Sequence, residues 1–349
     1  MIDLTLDRSD MLGKIRGLPG QLGSGYRLGR DAWRGVECPG PRAFAVAGMG
    51  ASALGGDLLR LYLADQADIP VFVVRDYNLP RFIGEGALVV VTSYSGNTEE
   101  ALSAFDQALA RKAAVACISS GGRLLEEARR RSVPCATIPG GLPPRAGLGY
   151  SFSALLALAR QVGLCADPLD ELARSADEIE GLGDAYQVQD ADRNPALKLA
   201  GDLAGRVPIV YCGSSLEAVG IRWKNQFCEN SKQVAFTSLV PEANHNEVMG
   251  WETGARGIDP GVIVLRAPDE HPSVARSFSA LKELAGAGGR FCGEFRADGS
   301  SLLKRLFSLI LLGDYASVYL ALARGVDPTP IGTIDRIKAW LKQGRGETR

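Results

Sequence analysis

Short apolar runs alternate with amphipathic segments along most of this chain, and the alternation predicts its secondary structure. Apolar runs bounded by Gly, Pro or polar residues are typical of buried strands, whereas apolar residues spaced three or four apart indicate helices. Residues 1–34 are predicted to be a helical lead-in. In the first half, the predicted strands are 43–47, 71–74, 87–92, 114–119 and 135–138, and the predicted helices are 53–63, 99–110, 124–131 and 150–162.

The same alternation begins again in the second half. Its predicted strands are 207–212 and 262–266, and its predicted helices are 215–232, 277–284 and 301–324. The strand-to-helix turn at Gly50 aligns with the turn at Gly213, which indicates a duplicated unit. The pattern predicts an α/β protein with two doubly wound, mostly parallel, flavodoxin-like domains, 1–165 and 166–349. Residues 181–193 are interpreted as connector or surface helix ends.

Composition and charge narrow the functional classes. The 349 residues suffice for two domains, and 46% of them are hydrophobic, which argues against disorder. With 39 basic and 40 acidic residues, nothing favours binding to nucleic acid or to an anionic membrane. Residues 301–324 are apolar but contain Lys304, Arg305 and Asp314, which favours a core helix over a membrane span.

Cysteine usage and the N-terminal residues suggest a cellular compartment. The seven cysteines form no Cys-x-x-Cys pair and are odd in number, so neither a zinc site nor a disulfide framework is expected. The N-terminal residues lack the basic start and apolar block of a secretory signal. We therefore expect a cytoplasmic protein with reduced thiols and without a bound metal.

The most informative stretch follows the predicted strand 87–92. Ser93, Ser95 and Thr98, together with Gly96 and Asn97, lie directly before a predicted helix. Free backbone N–H groups at a helix N-terminus bind anions, and hydroxyl groups donate further hydrogen bonds to phosphate oxygens. Helix capping alone is the alternative. Because the stretch contains no Lys or Arg, it differs from a nucleotide P-loop and suits a single terminal phosphate on a small molecule.

A second glycine-containing turn lies at residues 48–52. Gly50 permits a close backbone approach, and Ser52 can cap the following helix. A plain α/β turn explains the same residues. The dinucleotide fingerprint G-x-G-x-x-G fails here because residue 53 is Ala and Gly55 comes one position late, so nucleotide binding is a minor alternative.

Candidate acid–base residues lie in the second half. On the predicted helix 215–232, Glu229 lies off the apolar stripe and shares a face with Arg222 and Gln226. Taken alone, Glu229 also fits a solvated surface residue. His245 lies in a polar loop without apolar periodicity, and histidine can exchange protons near neutral pH. His271, in contrast, is interpreted as a solvated turn residue.

Two basic residues are further candidates. Arg145 follows a Pro-Pro pair and is predicted to leave the same sheet edge as the two turns, although a lone Arg usually lies on the surface. Lys338 lies in a predicted C-terminal helix and is most simply a surface residue. That helix is predicted to turn Ile334, Ile337 and Leu341 inward.

Taken together, these motifs resemble the bifunctional phosphoglucose/phosphomannose isomerase family, which has two sugar-isomerase (SIS) domains. The resemblance covers about residues 40–340 in the same order. Glu229 and His245, 16 residues apart, are typical of the isomerase branch. The matching segments are Gly48-Met49-Gly50-Ala51-Ser52, Thr92-Ser93-Tyr94-Ser95-Gly96-Asn97-Thr98-Glu99, Pro144-Arg145, residues 225–232, Asn244-His245-Asn246 and residues 334–338. Ala51 departs from the family, which usually has a second Gly there.

The resemblance implies a role for each candidate. Glucose 6-phosphate, and mannose 6-phosphate as a further substrate, would interconvert with fructose 6-phosphate through a cis-enediol, without a cofactor. Glu229 would move the proton, and Arg145 would stabilise the enediolate. His245 would assist ring opening from the partner subunit of a homodimer, and Lys338 would lie near the ring oxygen or phosphate. The phosphate would bind at Gly50, Ser52, Ser93, Ser95 and Thr98.

Three other classes remain as alternatives. A non-catalytic sugar-phosphate-binding SIS regulator would use the same fold, but usually has an added DNA-binding segment, and this chain has no basic appendage. A glutamine-dependent aminosugar synthase would need a glutaminase domain with an N-terminal Cys. This chain begins Met1-Ile2, and no such domain fits before residue 40. A nicotinamide-dependent dehydrogenase is opposed by the failed fingerprint.

Overall fold

The computed structural model describes residues 2–36, 38, 40–252 and 257–343. The chain begins with a 3-10 helix, Leu4–Leu6, followed by α1 (Met11–Arg16) and α2 (Leu18–Ala32), so the helical lead-in is confirmed. A Cβ at Gly29 would lie 2.8 Å from the Cα of Ala154. Glycine is required there because it allows α2 to pack closely against a later helix of the first half.

The first half contains a five-stranded parallel sheet. Its strands are β1 (Ala43–Gly48), β2 (Val71–Val74), β3 (Ala87–Ser93), β4 (Ala114–Ser119) and β5 (Cys135–Thr137), in the order β2-β1-β3-β4-β5. The covering helices are α3 (Gly50–Leu63), α4 (Glu99–Ala110), α5 (Gly122–Arg130) and α6 (Leu148–Gln161). Every strand and helix predicted for this half is present, with ends shifted by at most three residues.

The second half contains a four-stranded parallel sheet. Its strands are β6 (Val207–Gly213), β7 (Phe236–Val240), β8 (Pro260–Arg266) and β9 (Cys292–Arg296), in the order β7-β6-β8-β9. Its helices are α7 (Leu169–Ala185), α8 (Pro195–Leu203), α9 (Glu217–Glu229), α10 (Pro272–Gly286), α11 (Leu302–Ala323) and α12 (Gly332–Gln343). A 3-10 turn, Ser214–Leu216, precedes α9, which ends three residues before the predicted end.

The connectivity is the same in the two sheets. In each, the second strand lies at one edge beside the first, and the third and fourth strands follow on the other side. This arrangement agrees with the repeat that the turns at Gly50 and Gly213 indicated. Doubly wound parallel sheets were therefore predicted correctly, while the boundary between residues 165 and 166 stays a prediction.

Several elements of the second half were missed. Strands β7 and β9 were not predicted because they form the edges of their sheet and are only partly buried, so their residues show no continuous apolar run. Helices α7 and α8 were also missed. The interpretation of residues 181–193 as connector or surface helix ends agrees with the structure, since α7 ends at Ala185 and residues 186–193 are irregular.

Helix α11 lies in the core of the molecule. It is long and apolar enough to cross a membrane, but 94% of its most hydrophobic window is buried inside the protein. It packs against α7, α8 and α9, and the large apolar cluster around it extends to residues of both halves. The prediction of a core helix at residues 301–324 is confirmed.

The prediction for the C-terminal helix is wrong in one respect. α12 is present, but Ile334, Ile337 and Leu341 are not turned inward: their exposed fractions are 37%, 55% and 48%. No neighbouring element in the described part of the chain covers this face of α12. The apolar spacing indicated a buried stripe, but within one chain the stripe faces solvent.

Candidate active site

The predicted anion site lies where the connections of the first sheet change direction. Strands β1 and β3 are neighbours, and their ends align, with Gly48 opposite Thr92. The chain leaves β1 towards β2 on one side and leaves β3 towards β4 on the other. In open parallel sheets, this reversal produces a crevice at the carboxyl ends of the strands, where ligands bind.

Two of the predicted hydroxyl residues, Ser52 and Ser93, line this crevice. Ser93 is buried, and its hydroxyl donates a hydrogen bond of 2.9 Å to the Thr98 hydroxyl. The Ser52 hydroxyl accepts a hydrogen bond of 3.1 Å from the Tyr94 N–H, which ties the two turns together. Ser95 is exposed at the tip of its turn. The structure thus brings the two turns of the predicted phosphate cradle together in one place.

The hydroxyls serve more than helix capping. Thr98 occupies the N-cap position of α4, yet its side chain makes no capping hydrogen bond to that helix. Gly96 holds the turn in a compact form with a φ of +68°, and a Cβ there would lie 1.8 Å from the Gly121 carbonyl oxygen. The alternative of capping alone therefore does not explain this cluster.

The turn at Gly50 presents the N-terminus of α3 to the same crevice. Met49 is the N-cap, and Gly50 has a φ of +53°, a conformation that favours glycine. Space around the position of a Gly50 Cβ is open. The Ala51 methyl group lies beside the crevice, since Ala51, Ser52 and Ser93 line the same small cavity.

A 3-10 turn, Pro144–Ala146, connects the cradle to the second half of the molecule. Pro144 and Gly147 line the same small cavity as Ser52 and Ser93. Arg145, between them, is buried with 2% of its surface exposed, so the general tendency of a lone Arg to lie on the surface does not apply to it. Because consecutive Cα atoms lie about 3.8 Å apart, the backbone of Arg145 adjoins the cradle.

The side chain of Arg145 extends to Glu229 at the end of α9. Its Nη1 lies 3.5 Å from Glu229 Oε2. The other guanidinium nitrogens donate to Asn230 Oδ1 at 2.6 Å and to the carbonyls of Pro328 and Thr329 at 2.9 and 3.0 Å. Burial is the largest influence on the pKa of Arg145 and lowers it.

Glu229 is accessible from solvent, although Arg145 beside it is buried. Its side chain is 28% exposed and lies in an open groove of about 890 Å³, which is lined by the end of α9, residues 232–234, residues 330–334 and Arg336. The Nζ of Lys232 donates to the Glu229 carbonyl at 2.6 Å and to the Pro328 carbonyl at 3.0 Å. A carboxylate that lies near two cations, Arg145 and Lys232, and lines an open groove can exchange a proton with a bound small molecule.

A buried network of charged and polar side chains holds the backbone of Arg145, which is paired with Glu229. Arg222 donates to both carboxylate oxygens of Asp314, at 2.9 and 2.7 Å, and Gln226 donates to the same carboxylate at 2.9 Å. Arg222 also donates to the Arg145 carbonyl at 2.7 Å. Asp314 and Arg222 are each 3% exposed in their side chains. The network fixes the backbone of Arg145 to both α9 and α11.

His245 and Lys338 lie apart from this cluster. His245 is exposed at the end of a short 3-10 helix, Glu242–His245. Lys338 is exposed on α12. Among the described residues, no hydrogen bond or ion pair joins either side chain to Arg145 or Glu229. The structure therefore does not bring them into the site within a single chain.

Several residues around the site were not predicted to belong to it. Asn230, Ser317, Asp314 and Lys232 contact the Arg145–Glu229 pair or its supports, and they come from sequence positions far from Arg145. Asp314 carried a usable signal, because an acid inside an otherwise apolar core helix needs a cationic partner. His271, interpreted as a turn residue, is the N-cap of α10 and accepts from the Ser273 N–H at 3.1 Å.

Comparison with known proteins gives a consistent result. A family model described as "Bacterial phospho-glucose isomerase C-terminal SIS domain" matches residues 192–341. The bifunctional phosphoglucose/phosphomannose isomerase of Caldicellulosiruptor bescii is 37% identical over 336 residues, covering 95% of this chain and 99% of that protein. The protein of the same name from Aquifex aeolicus is 33% identical, over 86% of this chain and 91% of its own length.

Solved structures share the fold. The crystal structure of tagatose-6-phosphate ketose/aldose isomerase from Escherichia coli superposes with a TM-score of 0.70 at 15% identity, over 94% of this chain and 96% of that chain. Two parallel sheets of matching connectivity, with a hydroxyl-lined crevice in the first, define a protein of the sugar-isomerase (SIS) class. Given its relatives over nearly the whole length, the chain belongs to the bifunctional phosphoglucose/phosphomannose isomerase family.

Proposed function

We propose that this protein is an aldose–ketose isomerase that interconverts glucose 6-phosphate and mannose 6-phosphate with fructose 6-phosphate. One observation carries the proposal. Arg145 lies between Pro144 and Gly147, which line the hydroxyl cradle, and its guanidinium reaches Glu229 at 3.5 Å. The backbone of Arg145 therefore adjoins the anion site, while its buried guanidinium lies beside the carboxylate of Glu229.

The chemistry needs one proton to move between two neighbouring carbons. Glu229 takes the proton from C2 of the open-chain aldose, and the carbonyl oxygen at C1 becomes the oxyanion of a cis-enediolate. The protonated Glu229 then returns the proton to C1, while the O2 proton passes to the O1 oxyanion, so that O1 becomes a hydroxyl and the C2 carbonyl of the ketose forms. Arg145 stabilises the oxyanion by fixed positive charge in a buried position. No electrons are exchanged with another molecule.

The phosphate lies remote from the reacting carbons and orients the substrate. Ser52, Ser93, Ser95 and Thr98 supply hydroxyl donors, and the turn at Gly50 supplies backbone N–H groups at the start of α3. Binding energy at this end holds the open chain across Glu229, which favours reaction over mere binding.

His245 and Lys338 complete the proposal only in an assembled protein. His245 would assist ring opening and reach the groove from the partner subunit of a homodimer, and Lys338 would lie near the ring oxygen or phosphate. Their exposure and the uncovered apolar face of α12 support an assembly in which a second copy covers this region. The proposed setting is cytoplasmic.

The test is an assay with fructose 6-phosphate in which coupled enzymes detect both aldose products. We expect glucose 6-phosphate and mannose 6-phosphate to form. The variant Glu229→Gln keeps the shape of the side chain but cannot accept the proton, and we expect kcat to fall at least about a hundredfold. Glu283→Gln, an exposed residue on α10, is the matched control and should retain full activity. Near-normal turnover by Glu229→Gln would exclude Glu229 as the base.

A further inference from the structure

The hydrogen-bond acceptors around Arg145 are almost all uncharged. Its Nε donates to the side-chain oxygen of Asn230 at 2.6 Å, and its Nη2 donates to the carbonyls of Pro328 and Thr329 at 2.9 and 3.0 Å. Only Nη1 approaches a carboxylate, that of Glu229, at the longer distance of 3.5 Å. Three short hydrogen bonds thus orient the guanidinium without neutralising it.

The nearest buried carboxylate is engaged elsewhere. Asp314 receives two hydrogen bonds from Arg222, at 2.9 and 2.7 Å, so its charge is balanced by Arg222. Arg222 in turn donates to the Arg145 carbonyl at 2.7 Å. Arg145 is therefore a buried cation whose one ion-pair partner among the described residues is Glu229 in the groove, and a charge in such surroundings acts more strongly than in water.

Asn230 is held in a single orientation. Its Nδ2 donates to the Ser317 hydroxyl at 2.9 Å, and Ser317 donates to the Asp314 carbonyl at 2.7 Å. Because an arginine nitrogen can only donate, the atom of Asn230 that faces Arg145 must be the amide oxygen. Asn230 is fully buried, so water does not compete for this contact.

We propose that Asn230 is a positioning residue whose neutral amide aims Nη1 of Arg145 at the groove and preserves its positive charge for an anionic group bound there. An Asp at this position would make the same hydrogen bond but would neutralise the guanidinium. This inference rests on the proposed function, which places an enediolate beside Arg145.

The test compares two ligands that share a phosphate and a linear polyol chain. Arabinonate 5-phosphate carries a carboxylate where the enediolate would form, whereas glucitol 6-phosphate is uncharged there. Calorimetry gives the affinity for each, and their ratio is the anion selectivity of the site. The variants are Asn230→Asp, which adds a charge, Asn230→Ser, which keeps the position neutral, and Asn194→Asp, which changes another fully buried Asn at the start of α8.

We expect Asn230→Asp to lose at least about tenfold of the anion selectivity, with the affinity for glucitol 6-phosphate changed by less than about threefold. Asn194→Asp should keep the selectivity of the unmodified protein. Asn230→Ser, which stays neutral but is too short to accept the hydrogen bond from Arg145, should lose less selectivity than Asn230→Asp. An unchanged selectivity in Asn230→Asp, or an equal loss of affinity for both ligands, would overturn the inference.

A second variant tests the inference if Asn230→Asp does not fold, and an isomerisation assay tests the proposed function separately. Should Asn230→Asp fail to fold, Lys232→Glu places a carboxylate on an exposed residue that shares the Pro328 carbonyl with Arg145, and the selectivity should fall in the same direction. An unchanged selectivity there would also contradict the inference. Failure of the unmodified protein to isomerise fructose 6-phosphate would refute the proposed function alone, because the selectivity measurement requires binding and not turnover.

Discussion

Replacing Asp314 by Ala would remove the carboxylate that balances Arg222 in the interior. Both side chains are 3% exposed, and the carboxylate accepts two hydrogen bonds from Arg222 and one from Gln226. The replacement leaves a buried guanidinium without a counter-charge. Removing one partner of a buried ion pair typically costs about 3–5 kcal/mol, so we expect a loss of that size in the free energy of unfolding.

The exposed pair Arg16–Asp184 provides a matched control. Its atoms approach to 2.8 Å, almost the same distance as in the buried pair, but the side chains are 57% and 59% exposed. Exposed ion pairs contribute about 0–1 kcal/mol because water and salt screen them. Asp184→Ala should therefore change the free energy of unfolding by no more than that amount.

Urea unfolding followed by circular dichroism measures both variants against the unmodified protein. The comparison keeps the type of substitution constant and changes only burial. A loss below about 1 kcal/mol in Asp314→Ala would refute the reasoning, since it would mean that water reaches Arg222 as readily as it reaches Arg16.

Two further predictions concern the cradle and an ionic cluster of the second sheet. Gly96→Ala should lower the free energy of unfolding in urea by at least about 1–3 kcal/mol and weaken phosphate binding, because the φ of Gly96 is +68° and the new Cβ would clash with the Gly121 carbonyl. Gly181→Ala in α7 is the control: its Cβ would meet open space, so the variant should be tolerated. Burial opposes ionisation of Glu294, but Lys282 and other cations outweigh it and hold its pKa below the ordinary value. The stabilisation that ionised Glu294 contributes is therefore present above the ordinary glutamate pKa and is lost as pH falls through the lowered pKa of Glu294. Glu294→Gln should lower the free energy of unfolding by about 1 kcal/mol at pH 7 and by progressively less in acid.

The central strands β1 and β3 of the first half were predictable because they are buried along their whole length. All residues of β3 are buried, and a continuous apolar run followed by polar turn residues is a strong signal. The turn that contains Ser93 and Thr98 was predictable for a different reason: its polar residues are neighbours in the sequence and directly follow β3. Strand β7 gave no such signal because the polar residues Thr237 and Ser238 interrupt its apolar residues.

The surroundings of Arg145 were not predictable from local pattern. Its partners Asn230 and Pro328 are 85 and 183 residues away in the chain, and no spacing rule joins such positions. Burial of a lone Arg depends on acceptors that the fold brings together, so the sequence alone favoured a surface residue. The predicted position of its loop at the sheet edge made Arg145 a candidate, and the resemblance to a family gave it a role.

The two parts of the site therefore have different structural origins. The hydroxyl cradle is formed by β1, β3 and their turns, all within the first half. Arg145 also belongs to the first half, but each atom that orients its guanidinium belongs to the second, and Arg222 of the second half holds its carbonyl. In the proposed function, the cradle determines where the phosphate binds, whereas the contact between the halves determines whether Arg145 faces Glu229. In the proposed function, the polar groups of the buried network around Asp314 and Asn230 would act on the chemistry by fixing that contact.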